Sequence, residues 1–328
     1  MNLRPLLDAL EELDRYPPST EVRPAREQSL LAIGRFLETH IRSGQPFDLK
    51  AVHPNPLWHV FEERLHNAFL RARDKAPAPG VVRMHQAYSS GVIFQSRDRV
   101  VGVDVVPLRR VYGWEDRFKM TEHLADWLDA LLITHRHEDH YDSELVRACL
   151  RAGTPVYMPE PLARTWKPTP LLNAVCDGDE WEVAGLRVQA RTGIHVWRDE
   201  ASAMPLCVYE MVWPDGLAVV HGGDVDYTKN LEKSAGLDIH AFFLPWRAPN
   251  ALYEEGHHLQ KAPLHEAVRM ALDRLEPDVL FFEHCAELEH VYDGFPASFD
   301  MAFDLKRSLP VASELLFWGE WMDLPVSA

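Results

Sequence analysis

Four side chains that bind divalent cations fall inside one hexapeptide of this 328-residue chain: His135, His137, Asp139 and His140, in LLITHRHEDHYD. The run before them, DALLIT, is short and apolar and reads as a buried strand. A strand that ends in such a string must deliver it to one place. Neutral imidazoles bind a divalent ion at about 2.0–2.1 Å and carboxylates at about 2.0–2.2 Å. Alternate side chains of an extended loop project the same way, so His135 and His137 can grip one ion. Asp139 and His140 follow the next bend, where they can face a second. Two such ions about 3.5–4 Å apart would share a bridging water. A solvated histidine cluster is the bland alternative, but chance is a poor account of H-x-H-x-D-H.

Such a site needs further ligands from other strand ends. Three candidates follow in order: His195 in RTGIHVWRDE, Asp224 in AVVHGGDVDY and His284 in VLFFEHCAEL. Each stands at the exit of an apolar run. Gly222 and Gly223 before Asp224 permit close backbone approach. Singly, each would be an ordinary strand-end polar residue. Behind the hexapeptide, they are expected to gather at one end of a sheet.

The remaining sequence supplies the frame. Residues 1–80 read as a helical N-terminal region, with apolar stripes Leu3-Leu6-Leu7-Leu10-Leu13, Leu30-Ile33-Phe36-Leu37-Ile41 and Leu57-Trp58-Phe61-Leu65-Phe69. Pro77-Ala78-Pro79-Gly80 breaks the pattern, and residues 81–328 read as one mixed α/β domain. Strands are expected over VVRMHQAY, GVIFQS and RVVGVDVV and at 155–158, 186–192, 207–213, 217–221, 240–244, 278–282 and 314–318. Helices are expected at 121–127, over SELVRACLRAG, at 228–235 and at 261–275. No internal repeat is visible. Formal charge is −16, which counts against a phosphate-backbone partner. The four cysteines form no CxxC pair, so neither a disulfide framework nor a cysteine-built zinc site is expected. No apolar run reaches the roughly 18 residues of a membrane span. The acidic, amphipathic start lacks the features of a signal peptide, which makes the cytoplasm the expected location.

The T-H-x-H-x-D-H string at 134–140 resembles the signature of the metallo-β-lactamase superfamily. Asp104 in GVDVVP resembles its strand-ending acidic residue, and His195, Asp224 and His284 fall at its later motifs. The likeness covers roughly residues 81–320 and not the helical N-terminal region. IHVWRDE, GGDVDY and HHLQKAPLHEAV are most similar to the branch of ascorbate-phosphate lactonases and the phospholipase D that cleaves N-acyl-phosphatidylethanolamine. Gly-Asp-Val-Asp departs from the commoner Gly-Asp-Thr. The resemblance implies an α/β fold, an αββα sandwich, with the N-terminal helices as an extension. It implies one ion on His135, His137 and His195, a second on Asp139, His140 and His284, and Asp224 between them. Asp104 would orient a histidine by hydrogen bonding. Zinc is the first expectation, with iron or manganese as alternatives.

Hydrolysis of a small-molecule ester, lactone, amide or phosphodiester is the expected activity, with Asp139 and Asp224 in the catalytic machinery. Di-iron oxygen activation and a non-catalytic metal-stabilised scaffold are the alternatives. Expected substrate contacts are Trp197, Arg247 and His258, with Arg198, Trp246 and His257 beside them. Arg247 could hold a carboxylate or phosphate. His221 reads either as a buried strand histidine or as a neighbour of the ligands, Cys285 as packing, and Tyr88 and Ser89 as lining of the cleft. The N-terminal helices could mediate a homo-oligomer.

Overall fold

Runs such as Ala241–Pro245 (AFFLP) and Val279–Glu283 (VLFFE) carry too many consecutive apolar side chains for a strand with one wet face. Each lies where both faces are covered. Phe243 and Phe281 point between two sheets, while Phe242, Leu244, Leu280 and Phe282 point out against helices. A computed structural model describes residues 2–41, 56–108, 118–195, 204–227, 231–245, 261–292 and 297–324 of the chain.

Three helices come first: α1 (Arg4–Asp14), α2 (Pro24–Ile41) and α3 (Pro56–Asp74). The first half of the sandwich follows: β1 (Val82–Gln86), β2 (Val92–Gln95), β3 (Val100–Val103), α4 (Met120–Trp127), β4 (Ala130–Leu132), α5 (Ser143–Ala152), β5 (Val156–Pro159), α6 (Glu160–Ala163) and β6 (Leu172–Val175). The second half has β7 (Glu180–Val183), β8 (Leu186–His195), β9 (Met204–Val212), β10 (Ala218–His221), β11 (Ala241–Pro245), α7 (Lys261–Leu275), β12 (Val279–Glu283), α8 (Leu288–Tyr292), α9 (Phe299–Ser308), β13 (Ala312–Leu315) and β14 (Trp321–Leu324).

The strands form two seven-stranded sheets, ordered β14-β1-β2-β3-β4-β5-β6 and β13-β12-β11-β10-β9-β8-β7. In each, an antiparallel meander leads into parallel pairs: β3 with β4 in the first, β10 with β11 and β11 with β12 in the second. Phe94 meets Phe243 edge-on across the interface, at 5.4 Å between ring centroids. Helices cover the outer faces, so this is the αββα sandwich that the resemblance implies. Among the described residues, no helix is long and apolar enough to cross a membrane.

The observed strands follow the expected ones with shifted ends. β6, β7 and β14 were not expected; they are four residues each and partly exposed, too short to show a period. The helix expected at 228–235 is not formed over residues 231–235. There the Ser234 backbone N–H donates to Glu210 Oε1 (2.9 Å), and its hydroxyl donates to the same carboxylate. Side-chain bonding of this kind competes with a helical ladder.

The helical segment joins the same apolar cluster as the outer faces of the sandwich. Arg26 of α2, 3% exposed, reaches Glu320 through Nη1 (2.5 Å) and Nη2 (2.7 Å), Glu314 through Nε (3.4 Å) and the Leu315 carbonyl (2.7 Å). Lys306 Nζ adds a second cation on Glu314 at 2.7 Å. Arg26→Met leaves the Glu320 carboxylate buried without its cation, and is expected to cost about 3–5 kcal/mol. Urea unfolding checks this, and a loss under about 1 kcal/mol would contradict the clamp.

His85 of β1 is buried, with Nε2 3.0 Å from Gln95 Oε1, and Gln95 Nε2 donates to the Ala72 carbonyl of α3 (3.0 Å). Burial pushes His85 down to about 4 from 6.5. The unfolded chain therefore takes up a proton that the folded chain refuses. This stability is complete above pH 6.5 and is lost as the pH falls toward 4, by about 3 kcal/mol in all. Wild type should lose stability across that window more steeply than His85→Gln, as read by unfolding midpoints at a series of pH values.

Candidate metal centre

The site is assembled from strand ends. β3 stops at Val103, and Asp104 takes a left-handed turn (φ +50°) with its side chain fully buried. Parallel pairing of Val103 with Leu132 sets the next strand's exit beside it. Asp104 Oδ1 accepts the Thr134 backbone N–H (2.7 Å). Its Oδ2 accepts the Thr134 hydroxyl (2.6 Å) and lies 2.7 Å from His140 Nδ1. The hexapeptide then turns, with the His140 and Tyr141 N–H groups donating to the His137 carbonyl. Asp142 ends it by capping α5, accepting the Glu144 N–H at 2.7 Å.

Two glycines let the second sheet approach. A Cβ on Gly223 (φ +51°) would lie 2.7 Å from Thr134 Oγ1, and one on Gly193 would lie 2.6 Å from Val225. Their absence lets Asp224 and His195 close on the hexapeptide. The Asp226 N–H donates to the Ile194 carbonyl (2.7 Å), tying the two segments together.

The structure brings every sequence-predicted ligand residue into this pocket. His135, His137, His195 and Asp224 form one group, and Asp139, His140 and His284 a second, with the donor atoms of each group within 4.8 Å of one another. Asp224 lies between them. Its Oδ2 is 3.8 Å from His135 Nε2 and 3.5 Å from His195 Nε2. Its Oδ1 is 3.5 Å from His140 Nε2 and 2.8 Å from His284 Nε2. Tetrahedral donors about 2.0–2.1 Å from a shared ion lie about 3.3 Å from one another, and the 3.5 Å spacings of Asp224 to His195 and His140 come near this.

Hydrogen positions follow from the partners. The Asp104 carboxylate can only accept, so His140 carries its hydrogen on Nδ1 and turns Nε2 inward. The Thr134 hydroxyl gives its hydrogen to Asp104, and its oxygen is 3.0 Å from His135 Nδ1. His135 thus also turns Nε2 inward. Neither His140 Nε2 nor Asp224 Oδ1, both buried, meets hydrogen-bond geometry with any group. Buried polar atoms aimed at one point without that geometry suit a cation.

Burial holds His135 well below its usual value and His137 at about 4, so both imidazoles are neutral. Burial opposes a proton on His140 and His284 as well. There Asp139, Asp224 and Asp104 outweigh it for His140, and Asp224 and Glu287 for His284, which rises to about 10. For Asp224 burial favours the neutral acid, but His284, His140 and His195 hold it well below the carboxylate range. The pocket calls for positive charge, and metal ions compete with protons for the same lone pairs.

Sequence reasoning missed Ser90, Glu283 and Glu287 among the neighbours. Ser90 Oγ is 2.9 Å from His140 Nδ1. His221 Nε2 lies 2.9 Å from the Ser90 carbonyl and 3.0 Å from Glu283 Oε1, so His221 is a buried strand histidine that also braces the loop beside the ligands. Ser89 faces Asp139 Oδ2 (3.2 Å), and Cys285 is buried. Tyr88 is buried, and its hydroxyl accepts the Leu288 N–H (2.9 Å). Glu287 touches His284, a contact foreshadowed only by its spacing of three residues. Trp197, Arg198, Trp246, Arg247, His257 and His258 lie outside the described residues.

The beta-lactamase superfamily domain model matches residues 89–262, and the chain belongs to that superfamily. No curated protein matches it in sequence. Among solved structures, Igni18, a metallo hydrolase from the archaeon Ignicoccus hospitalis, is 13% identical with a TM-score of 0.52, covering 75% of this chain and 100% of that one. CmlA, a diiron β-hydroxylase from Streptomyces venezuelae, is 17% identical with a TM-score of 0.50, covering 76% of this chain and 54% of that one. These likenesses show the fold alone.

Asp104→Asn replaces an acceptor-only group with one that presents N–H to Thr134 or His140. In the presence of a chelator, it is expected to lower stability by about 2 kcal/mol. An unchanged urea midpoint would remove Asp104 from its place at the centre of this network.

Proposed function

We propose that the chain is a metal-dependent hydrolase whose donor groups hold two divalent cations. The observation that carries this reading is Asp224, which offers one oxygen to each group. One position would be held by His135, His137, His195 and Asp224. The other would be held by Asp139, His140 and His284, with Asp224 between the two. Zinc suits imidazole and carboxylate donors; iron and manganese suit them as well. A bound pair supplies Lewis acidity at the scissile group and makes a water acidic enough to attack at neutral pH.

The chain's own residues do the remaining work. His137 and Asp139 are the partly exposed donors and the others are buried, so substrate enters on their side. Asp139, 18% exposed, stands where a carboxylate can accept the proton of the attacking water. Asp224 presents one carboxylate oxygen to each group and would hold the two ions side by side. The buried walls exclude bulk water from the reacting atoms. A net charge of −16 favours small substrates over nucleic acid. Esters, lactones, amides and phosphodiesters fit this chemistry, and the resemblance to lactonases and N-acyl-phosphatidylethanolamine phospholipase D puts lactones and phosphodiesters first. Trp197, Arg247 and His258 are proposed as substrate contacts.

CmlA, a diiron β-hydroxylase with this architecture, motivates a second reading in which the same donors hold iron and activate oxygen. One experiment separates the two. Metal content is measured on purified wild type and Asp224→Ala, with hydrolysis of a lactone, phosphodiester, phosphomonoester and amide panel in parallel. Two equivalents and metal-dependent hydrolysis are expected for wild type. Asp224→Ala should fall to one equivalent or less and lose hydrolysis by at least about 100-fold. Less than one equivalent in metal-replete wild type overturns the reading. Iron with oxygen uptake and no hydrolysis establishes the second one.

A further inference from the structure

Asp104 bears on both donor groups, reaching His135 through Thr134 and His140 directly. His284 has a different anchor. Its Nδ1 lies 2.7 Å from Oε1 of Glu287, a carboxylate 2% exposed. Ser89 Oγ lies 3.2 Å from His284 Nδ1 and 3.2 Å from Asp139 Oδ2, and donates to the same Glu287 oxygen. The other oxygen, Oε2, meets Nδ1 of His290. Among the described residues, every ligand that Glu287 reaches, directly or through Ser89, belongs to the Asp139–His140–His284 group.

The backbone is contorted to make this contact. His284 (φ +61°) and Ala286 (φ +63°) both adopt the left-handed region, which side-chain-bearing residues rarely occupy. Such residues persist only where surrounding structure holds them. The turn folds Glu287 back onto the ring of a residue three positions earlier. With the hydrogen of Nδ1 given to Glu287, Nε2 is the nitrogen that faces the site, 2.8 Å from Asp224 Oδ1, where a metal ion would take the place of a proton.

We infer that Glu287, with Ser89, is the positioning group of the second metal position alone, setting its affinity independently of the His135–His137–His195 position. The inference rests on the two-cation reading above. A carboxylate behind a ligating histidine fixes its tautomer and strengthens it as a donor. The Ser89 hydroxyl has one hydrogen, given to Glu287 or to Asp139, and so couples two ligands of that position. The two positions are thus braced differently: Asp104 acts on both, and Glu287 on one.

The test is stepwise zinc binding to metal-free protein in competition with a chromophoric chelator. Wild type should bind two zinc ions. Glu287→Gln, which keeps size and removes charge, should leave one affinity unchanged and weaken the other by about 10- to 100-fold. Ser89→Ala should weaken the same position less, and it carries the test if Glu287→Gln fails to fold. Asp104→Asn should weaken both. Glu287→Gln binding both ions within twofold of wild type, or losing both equally while its metal-free unfolding midpoint is unchanged, would falsify the inference. Wild type binding fewer than two ions would instead overturn the two-cation reading beneath it.

Discussion

A carboxylate shut away from water is the constraint on which this structure turns. An unpaired buried charge costs several kcal/mol, so Asp104 has to be met by donors. The two hydrogens of Thr134 and the Nδ1 hydrogen of His140 meet it. They can do so only because parallel pairing sets the end of β4 beside the end of β3. The requirement then spreads. Thr134, held by Asp104, leaves no room for a side chain on Gly223, and that vacancy lets Asp224 reach the hexapeptide. The second sheet is positioned by a residue of the first.

The two sheets reach their site by the same route. Each begins as an antiparallel meander and turns parallel at its fourth strand, β3 in one and β10 in the other. Asp104 leaves β3 and Asp224 follows β10 by three residues, so each half delivers an aspartate from its first parallel strand. Sequence shows no internal repeat because the repetition lies in the pairing, not in the residues. The aspartates have diverged in use: one is sealed among hydrogen bonds, and the other faces the donor nitrogens of both groups.

The ligand residues were legible because spacing and strand exits carry them: H-x-H-x-D-H needs no tertiary knowledge, and His195, Asp224 and His284 each end an apolar run. Of the residues that orient the ligands, Asp104 was legible through the family resemblance, and the others were not. Thr134 reads as part of the motif, not as the link between His135 and Asp104. Ser89 and Ser90 acquire their roles from residues 50 and 195 positions away. Glu283 and Glu287 flank His284 at spacings of one and three, and nothing in the composition says which carboxylate reaches its ring. The left-handed turn decides it. Glu283 points instead to His221, along the opposite side of the same strand end.

The helical N-terminal stripes carry no chemistry of their own, yet they reach the most contorted part of the site. The Ala286 N–H donates to the Ala297 carbonyl (3.1 Å), and the Ala297 N–H donates to Glu38 Oε1 of α2 (2.7 Å). Gly34, one turn earlier on α2, lies so close to Ala297 and Phe299 that an added Cβ would stand 3.1 and 2.9 Å from them. Arg26, at the start of the same helix, is fixed to Glu314 and Glu320 on the far side of that segment. One helix therefore spans from the C-terminal strands to the residues that hold the His284 turn. A left-handed turn at non-glycine residues needs rigid surroundings, and α2 supplies them. In this fold the extension is part of what keeps the second donor group in shape.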